Sequence, residues 1–137
     1  MAFEILLANC HKPRNGDYEM NEFGTKTTTS CPTGTDCTVS NEAISTKSVV
    51  TVEDSKKHWV YVDGKKWDKD INSVTYHNTE THDYSPGSTE SFTFNYSGAI
   101  KNKFLIEGTY TINSVYVSTP AVYYTTTTGN FTLKVKR

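Results

Sequence analysis

Hydrophobic and polar residues alternate with a period of two along most of this chain. In the segment 104–112, one side carries Phe104, Ile106, Tyr110 and Ile112, and the positions between them are mostly polar. Successive side chains of a strand point to opposite faces, so this pattern predicts a strand with one buried face. No segment of comparable length shows the spacing of a helix. The chain is therefore expected to be all-β.

Segments with this alternation recur at short intervals, separated by turn-forming residues. Strands that follow one another so closely pair antiparallel, because a parallel crossover needs about a dozen residues or more. We expect a single domain over residues 1–137, an antiparallel β-sandwich of about ten short strands with jelly-roll or immunoglobulin-like topology. The predicted strands are one near Phe3–Leu7, Ser48–Glu53, two in 58–68, Ile71–His77, Ser91–Tyr96, Phe104–Asn113, Val115–Ser118, Ala121–Thr128 and Phe131–Val135. Thr25–Ser30 and Thr38–Asn41 are weaker candidates for an edge strand and a short pairing segment.

The clearest local prediction is a hairpin in residues 58–68. Its centre is Asp63-Gly64, a pair that accepts the positive φ angles of a type I′ turn. This turn places Val60 opposite Trp67 and puts the two tryptophans on opposite faces. One face then holds the valines and Trp67, and the other holds Trp59, Tyr61, Lys66 and Asp68.

The second of these faces is the best candidate for a ligand site. If the valine face packs in the core, exposed aromatic rings stand beside hydrogen-bonding groups, an arrangement that suits the face of a sugar ring. The alternative is that a second sheet covers this face. Tyr123 and Tyr124 must also point to opposite faces, which leaves at least one of them near the surface. The predicted ligand-binding residues are Trp59, Tyr61, Asp63, Lys66, Asp68, Tyr123 and Tyr124.

Composition and charge indicate a folded domain with an uncharged polar exterior. Hydrophobic residues make up 35% of the 137 residues and charged residues 21%. Thr and Tyr, which suit strands, supply much of the polarity. The net charge is −1 and the basic residues are scattered, so nucleic-acid binding, which needs a clustered positive surface, is not expected.

The cysteines leave the redox chemistry open. Cys10, Cys31 and Cys37 are an odd number, so they cannot all pair within one chain. The segment between Cys31 and Cys37 is rich in turn-forming residues, and a disulfide would close it. Pairing of Cys10 with either of the others is equally compatible with the sequence.

No motif marks a catalytic or metal centre. Cys10 and His11 are adjacent, but neighbouring strand residues point apart and nothing indicates an activated nucleophile. The segment Asp68–Asn72 resembles the opening of an EF-hand loop, yet Ser73 stands where that loop needs glycine and Thr79 where it needs glutamate. We therefore expect no enzymatic activity, no cofactor and no metal.

These features favour a non-enzymatic binding protein, in the first place a lectin-like module that recognises a carbohydrate or a cell-surface glycan. Multivalency often strengthens weak sugar binding, so we expect a homo-oligomer. A second possibility is a membrane-active, pore-forming or toxin-type protein that meets a membrane surface, because the Thr-rich segment Ser114–Thr128 resembles hairpins that line a β-pore. A third is a self-assembling structural subunit with strand edges open to pairing.

The N-terminus predicts a cytoplasmic location. Its apolar run is short, Glu4 interrupts it and no basic region precedes it, so it does not resemble a signal peptide. A mature domain that carries a new starting Met would instead be secreted. No segment approaches the length of about 18 apolar residues that a membrane-spanning helix needs.

Overall fold

The computed structural model describes residues 12–33, 35–55 and 57–136, and within these ranges every regular element is a β-strand. Each strand pairs antiparallel with the next, and the first also pairs with the last. The all-β antiparallel prediction is therefore confirmed. The strands are β1 (Gly16–Cys31), β2 (Thr38–Asp54), β3 (Trp59–Val62), β4 (Lys65–Lys69), β5 (Ser73–Ser85), β6 (Ser88–Asn102), β7 (Leu105–Ser118) and β8 (Ala121–Val135).

The predicted sandwich of about ten strands is wrong, because one sheet of eight strands closes into a barrel. Alternation shows which residues share a face of a sheet, but it arises equally in a sandwich and in a barrel. The strands are also fewer and longer than predicted. Thr38–Asn41 and Ser48–Glu53 both lie in β2, and Phe104–Asn113 and Val115–Ser118 merge into β7.

The loops are also shorter than predicted, because the strands on either side of them are longer. Residues 78–90 were expected to be loop, but they form the ends of β5 and β6 around the turn at Pro86-Gly87. β1 begins at Gly16, inside a region expected to be mostly loop. Polar residues on both faces of these segments hide their strand character. The strand predicted near Phe3–Leu7 lies outside the described residues.

The hairpin formed by β3 and β4 has the predicted register. Val60 is opposite Trp67, and Trp59 is opposite Asp68. Asp63 has a φ of 52° and Gly64 a φ of 78°, as a type I′ turn requires. The carboxylate of Asp63 also accepts a hydrogen bond from the N–H of Thr51 at 3.0 Å, which fixes the turn against β2.

Strand length divides the barrel into two ends. β3 and β4 have only four and five residues, whereas the other strands have 13 to 17. All eight strands surround what we call the closed end, and six of them extend beyond the hairpin to form the open end. The closed end contains the core, which consists of Tyr18, Met20, Val50, Val52, Val60, Val62, Trp67, Val74, Ile100, Ile106, Tyr110, Phe131 and Leu133.

Two pairs of glycines on the inner face make room for large aromatic side chains. Gly98 lies opposite Gly108 in β6 and β7, and a Cβ on Gly98 would lie 2.9 Å from the ring of Phe131. Gly24 lies opposite Gly129 in β1 and β8, and a Cβ on Gly24 would lie 2.9 Å from the hydroxyl of Tyr110. The small residues therefore determine where the aromatic residues of the core sit.

A disulfide joins Cys31 to Cys37 across the connection between β1 and β2. This pairing is one of those that the sequence left open. It closes the short loop at the open end of the barrel, where β1 ends and β2 begins. Cys10 lies outside the described residues.

Tyr18 is the most deeply buried tyrosine of the closed end, and it makes the barrel sensitive to alkaline pH. Its hydroxyl donates to the carbonyls of Arg14 (2.7 Å) and Lys103 (3.0 Å), which ties the start of β1 to the turn after β6. Burial raises the pKa of Tyr18 to about 12. Because this disfavours the phenolate only in the folded state, the resulting stabilisation is complete below about pH 10, the unfolded pKa, and disappears as the pH rises through 12.

We therefore expect the free energy of unfolding to fall between pH 10 and pH 12. Tyr18→Phe lacks the hydrogen bonds of the hydroxyl, so its free energy of unfolding at pH 8 should be about 1 kcal/mol lower than that of the wild type. This free energy should then fall less steeply with pH in Tyr18→Phe than in the wild type. Urea unfolding of both proteins at a series of pH values measures these slopes. Burial also raises the pKa of Tyr96 and Tyr110, so both proteins keep some dependence on pH. Parallel curves would contradict the role given to Tyr18.

Candidate functional site

The inner face of the open end forms a cavity of about 370 Å³, which we call the trough. Its volume falls in the range of small-molecule sites, roughly 300–1,000 Å³. Apolar, hydroxyl-bearing and charged side chains line it together, which distinguishes it from the apolar core of the closed end. The lining residues are Glu22, Lys26, Ile44, Thr46, Glu90, Phe92, Tyr110, Ile112, Ser114, Thr125 and Thr127.

A continuous series of aromatic contacts on the inner face reaches the trough at Phe92, the member of the series that lines it. Phe92 packs against Phe94 (ring centroids 5.9 Å apart) and against the edge of His82 (5.7 Å). Tyr84 continues the series from His82 to Tyr116, whose ring lies 5.8 Å from that of Tyr123. Strand register places this set around Phe92 on the inner face. We call these residues the aromatic wall: Phe92, Phe94, His82, Tyr84, Tyr116 and Tyr123.

Tyrosine hydroxyls orient the two carboxylates of the trough. Tyr84 donates to Oε1 of Glu90 at 2.8 Å, and Tyr96 donates to Oε2 of Glu22 at 2.9 Å. The bond to Glu90 raises the pKa of Tyr84, while burial and then Glu22 raise the pKa of Tyr96. Among the described residues, neither carboxylate has a hydrogen-bond partner on its other oxygen. Both can therefore accept further hydrogen bonds from a ligand.

Positive charge lies in the trough and close to it. Lys26 lines it from β1, and no carboxylate of the described residues lies within 4.0 Å of its ammonium group. Lys65, at the tip of the hairpin, places its Nζ 5.9 Å from the centroid of the Phe94 ring. The trough thus presents both donors and acceptors of charge-assisted hydrogen bonds around an apolar wall.

The hairpin residues predicted to bind a ligand lie together on the outer face of the barrel. Trp59 and Tyr61 are half-buried there, and Lys66 places its Nζ 3.9 Å from the centroid of the Trp59 ring. Lys66 therefore covers part of the expected stacking surface, and Asp63 is engaged by the turn. Asp68 is exposed beside a shallow outer hollow. This site remains a prediction.

The two predicted tyrosines of β8 separate as expected for neighbours in a strand. Tyr123 is half-buried and belongs to the aromatic wall, whereas Tyr124 points outward and is 49% exposed. Of the predicted site residues, Tyr123 is thus the one that joins the wall. Trp67, by contrast, is 3% exposed and packs in the core against Tyr76, Tyr96 and Phe131.

Sequence reasoning missed most of the trough. His82 and Tyr84 lie in a segment predicted to be loop, and Glu22 lies in another. A usable signal existed in β5, where Thr75, Thr79 and Thr81 occupy one face and larger side chains the other. Because the inner face of this segment is itself polar, its two faces differ in the size of their side chains and not in hydrophobicity.

The described residues contain no group of three or more His, Cys, Asp or Glu side chains arranged to hold a metal ion. No helix of sufficient length and apolar character to span a membrane occurs among them either. Comparison of the chain with protein-family models, with curated proteins and with solved structures finds no match.

Proposed function

We propose that this protein is a non-enzymatic binding protein that holds a carbohydrate in the trough. One observation carries the proposal: Phe92, the member of the aromatic wall that lines the trough, shares a cavity of about 370 Å³ with hydroxyl and carboxylate groups. The class of ligand is the one predicted from the sequence, but the proposed site lies inside the barrel and not on the outer face of the hairpin.

The chemistry of the two sides matches the two kinds of surface on a sugar. The face of a sugar ring carries C–H groups that pack on an aromatic ring, and Phe92 offers such a surface. Hydroxyl groups at the sugar's edge need donors and acceptors, which Ser114, Thr125 and Thr127 supply in both roles. Glu22 and Glu90, already oriented by tyrosines, accept the strongest of these hydrogen bonds.

A wholly apolar ligand such as a fatty acyl chain fits the trough less well. It would remove water from Glu22, Glu90 and Lys26 without replacing the lost hydrogen bonds. Burial of a polar group without a partner costs roughly 1–3 kcal/mol in proteins, and burial of a charge costs more.

The test is a glycan array followed by calorimetric titration of the best ligand into the full chain. Phe92→Ala removes the stacking surface and Glu90→Gln removes a charged acceptor. We expect each to weaken binding about tenfold or more, which corresponds to about 1.4 kcal/mol. Trp59→Ala is the matched control, because it removes an aromatic ring from the outer face, and it should leave the affinity unchanged.

Thermal unfolding of each variant establishes that the barrel is intact. Loss of binding in Trp59→Ala with normal binding in Phe92→Ala would return the site to the hairpin and reject the trough. An array without any bound glycan would reject the carbohydrate proposal. Release of dye from liposomes by the wild-type protein would favour the membrane-active alternative instead.

A further inference from the structure

Most of β2 has a free edge. Residues Val52–Asp54 pair with β3, but the strand from Thr38 to Val50 pairs only with β1 in the described part of the chain. Thr51 shows which way the backbone points, because its carbonyl accepts a hydrogen bond from the N–H of Asp63 on the side away from β1. Alternate residues of a strand direct their backbone groups to the same side. The unpaired N–H and C=O groups therefore belong to Val39, Asn41, Ala43, Ser45, Lys47 and Val49.

This edge has only part of the protection that normally prevents strand-to-strand association. Proteins protect free edges with proline, bulges, inward charges or short strands. Glu42 on the inner face and Lys47 on the outer face supply charge. However, the free part of β2 has no proline, its register with β1 is regular throughout, and Val39 and Val49 are 64% and 49% exposed. The facing edge of β5 is better protected, because its register shifts between Asp83 and Ser85 and Pro86 follows.

We propose that two copies of the chain associate by antiparallel pairing of their β2 edges, with the twofold axis at Ile44. A twofold axis perpendicular to the sheet keeps both inner faces on one side, so each odd-numbered residue pairs with an odd-numbered residue. Centring on Ile44 pairs every free backbone group between Val39 and Val49 with one on the second copy. It leaves Thr51 to its existing bonds with the hairpin.

Side chains agree with this register. Val39 of one copy lies opposite Val49 of the other, twice per dimer, and Ile44 lies opposite its own counterpart on the inner face. Cross-strand apolar pairs of this kind stabilise a sheet. A dimer built in this way continues one sheet through two barrels and carries two troughs, independently of what the troughs bind.

Sedimentation velocity of the full chain over a range of concentrations tests the proposal. The wild type should sediment as a dimer. Ala43→Pro removes an N–H group that points away from β1, so the barrel should fold while the dimer dissociates at least tenfold more readily. Thr81→Pro, at the free edge of β5, is the matched control and should remain dimeric.

A pair of charge variants tests the register itself. Val39→Lys with Val49→Lys places like charges opposite each other and should give monomers. Val39→Lys with Val49→Glu places opposite charges in the same positions and should restore the dimer. A wild type that is monomeric at every concentration would overturn the proposal. So would a dimer that survives Ala43→Pro or the double lysine variant, whose fold far-ultraviolet circular dichroism verifies.

Discussion

Phe131→Ala is expected to lower the free energy of unfolding by about 3–5 kcal/mol, the range for removal of a buried aromatic side chain. Phe131 has no exposed surface, and its ring meets the rings of Trp67 and Tyr96 edge-on at centroid distances of 5.8 Å and 5.4 Å. Gly98 leaves the space that this ring fills. Alanine would leave a cavity bounded by rigid strands that cannot collapse into it.

Urea unfolding followed by tryptophan fluorescence measures this loss, because Trp67 reports directly on the core. Phe23→Ala is the matched control, since Phe23 is 52% exposed on the outer face of β1. It should change stability by about 0.5 kcal/mol or less, as surface substitutions usually do. A loss below about 1 kcal/mol for Phe131→Ala would show that the barrel repacks around the vacancy.

Gly129→Ala is expected to destabilise the barrel by about 3 kcal/mol or more, at or beyond the usual cost of overpacking a core. A Cβ at this position would lie 2.0 Å from the carbonyl oxygen of Phe23 and 2.5 Å from Cα of Gly24. Both atoms belong to the backbone of the paired strand. No side-chain rotation relieves the clash, so β1 and β8 must separate where the barrel closes.

Thr128→Ala is the control for this substitution, because it adds no atoms and lies at an exposed neighbouring position of β8. Its stability should remain within about 0.5 kcal/mol of the wild type. Thermal unfolding of both variants, with near-ultraviolet circular dichroism to monitor aromatic packing, distinguishes them. Similar melting curves for the two variants would show that the seam between β1 and β8 tolerates separation.

The sequence predicts those features of the fold that depend only on residues close together in the chain, such as the hairpin of β3 and β4. Asp63-Gly64 specifies its turn by backbone conformation alone, and the turn then fixes which residues face each other in β3 and β4. The contacts within this hairpin join residues close in sequence, so its register needs no knowledge of the rest of the molecule. The register puts Trp67 on the face of the valines, but only the tertiary structure shows that this face packs in the core.

Closure of the barrel was not predictable in this way. It depends on pairing of β1 with β8, whose residues are distant in sequence, and on the close approach of Gly24 and Gly129. A glycine inside a strand pattern indicates a close approach of backbone, but it does not show which strand approaches. A sandwich and a barrel satisfy the alternation of side chains equally well.

The trough was not predicted because its inward-facing side chains include polar ones, whereas the alternation of hydrophobic and polar residues normally assigns polar side chains to the outside. Glu22, Glu90 and Thr127 point inward, although their polarity predicts an outward position. Tyr123, one of the predicted ligand-binding residues, faces into the barrel, whereas its neighbour Tyr124 is exposed. Positions at which polar side chains face inward are those where local sequence rules conflict with the fold, and such conflicts concentrate at functional sites.

Because β3 and β4 are short, the barrel has an opening in its side. Above the hairpin, no strand of the described residues pairs with the edges of β2 and β5 that β3 and β4 cover below, so the wall of the barrel is interrupted there. In a single copy of the chain this gap opens the inner face of the open end to the side, whereas in the proposed dimer the β2 strand of the second copy would occupy it. Insertion of equal numbers of residues on both sides of Asp63-Gly64 would lengthen β3 and β4, and the longer hairpin would close this gap.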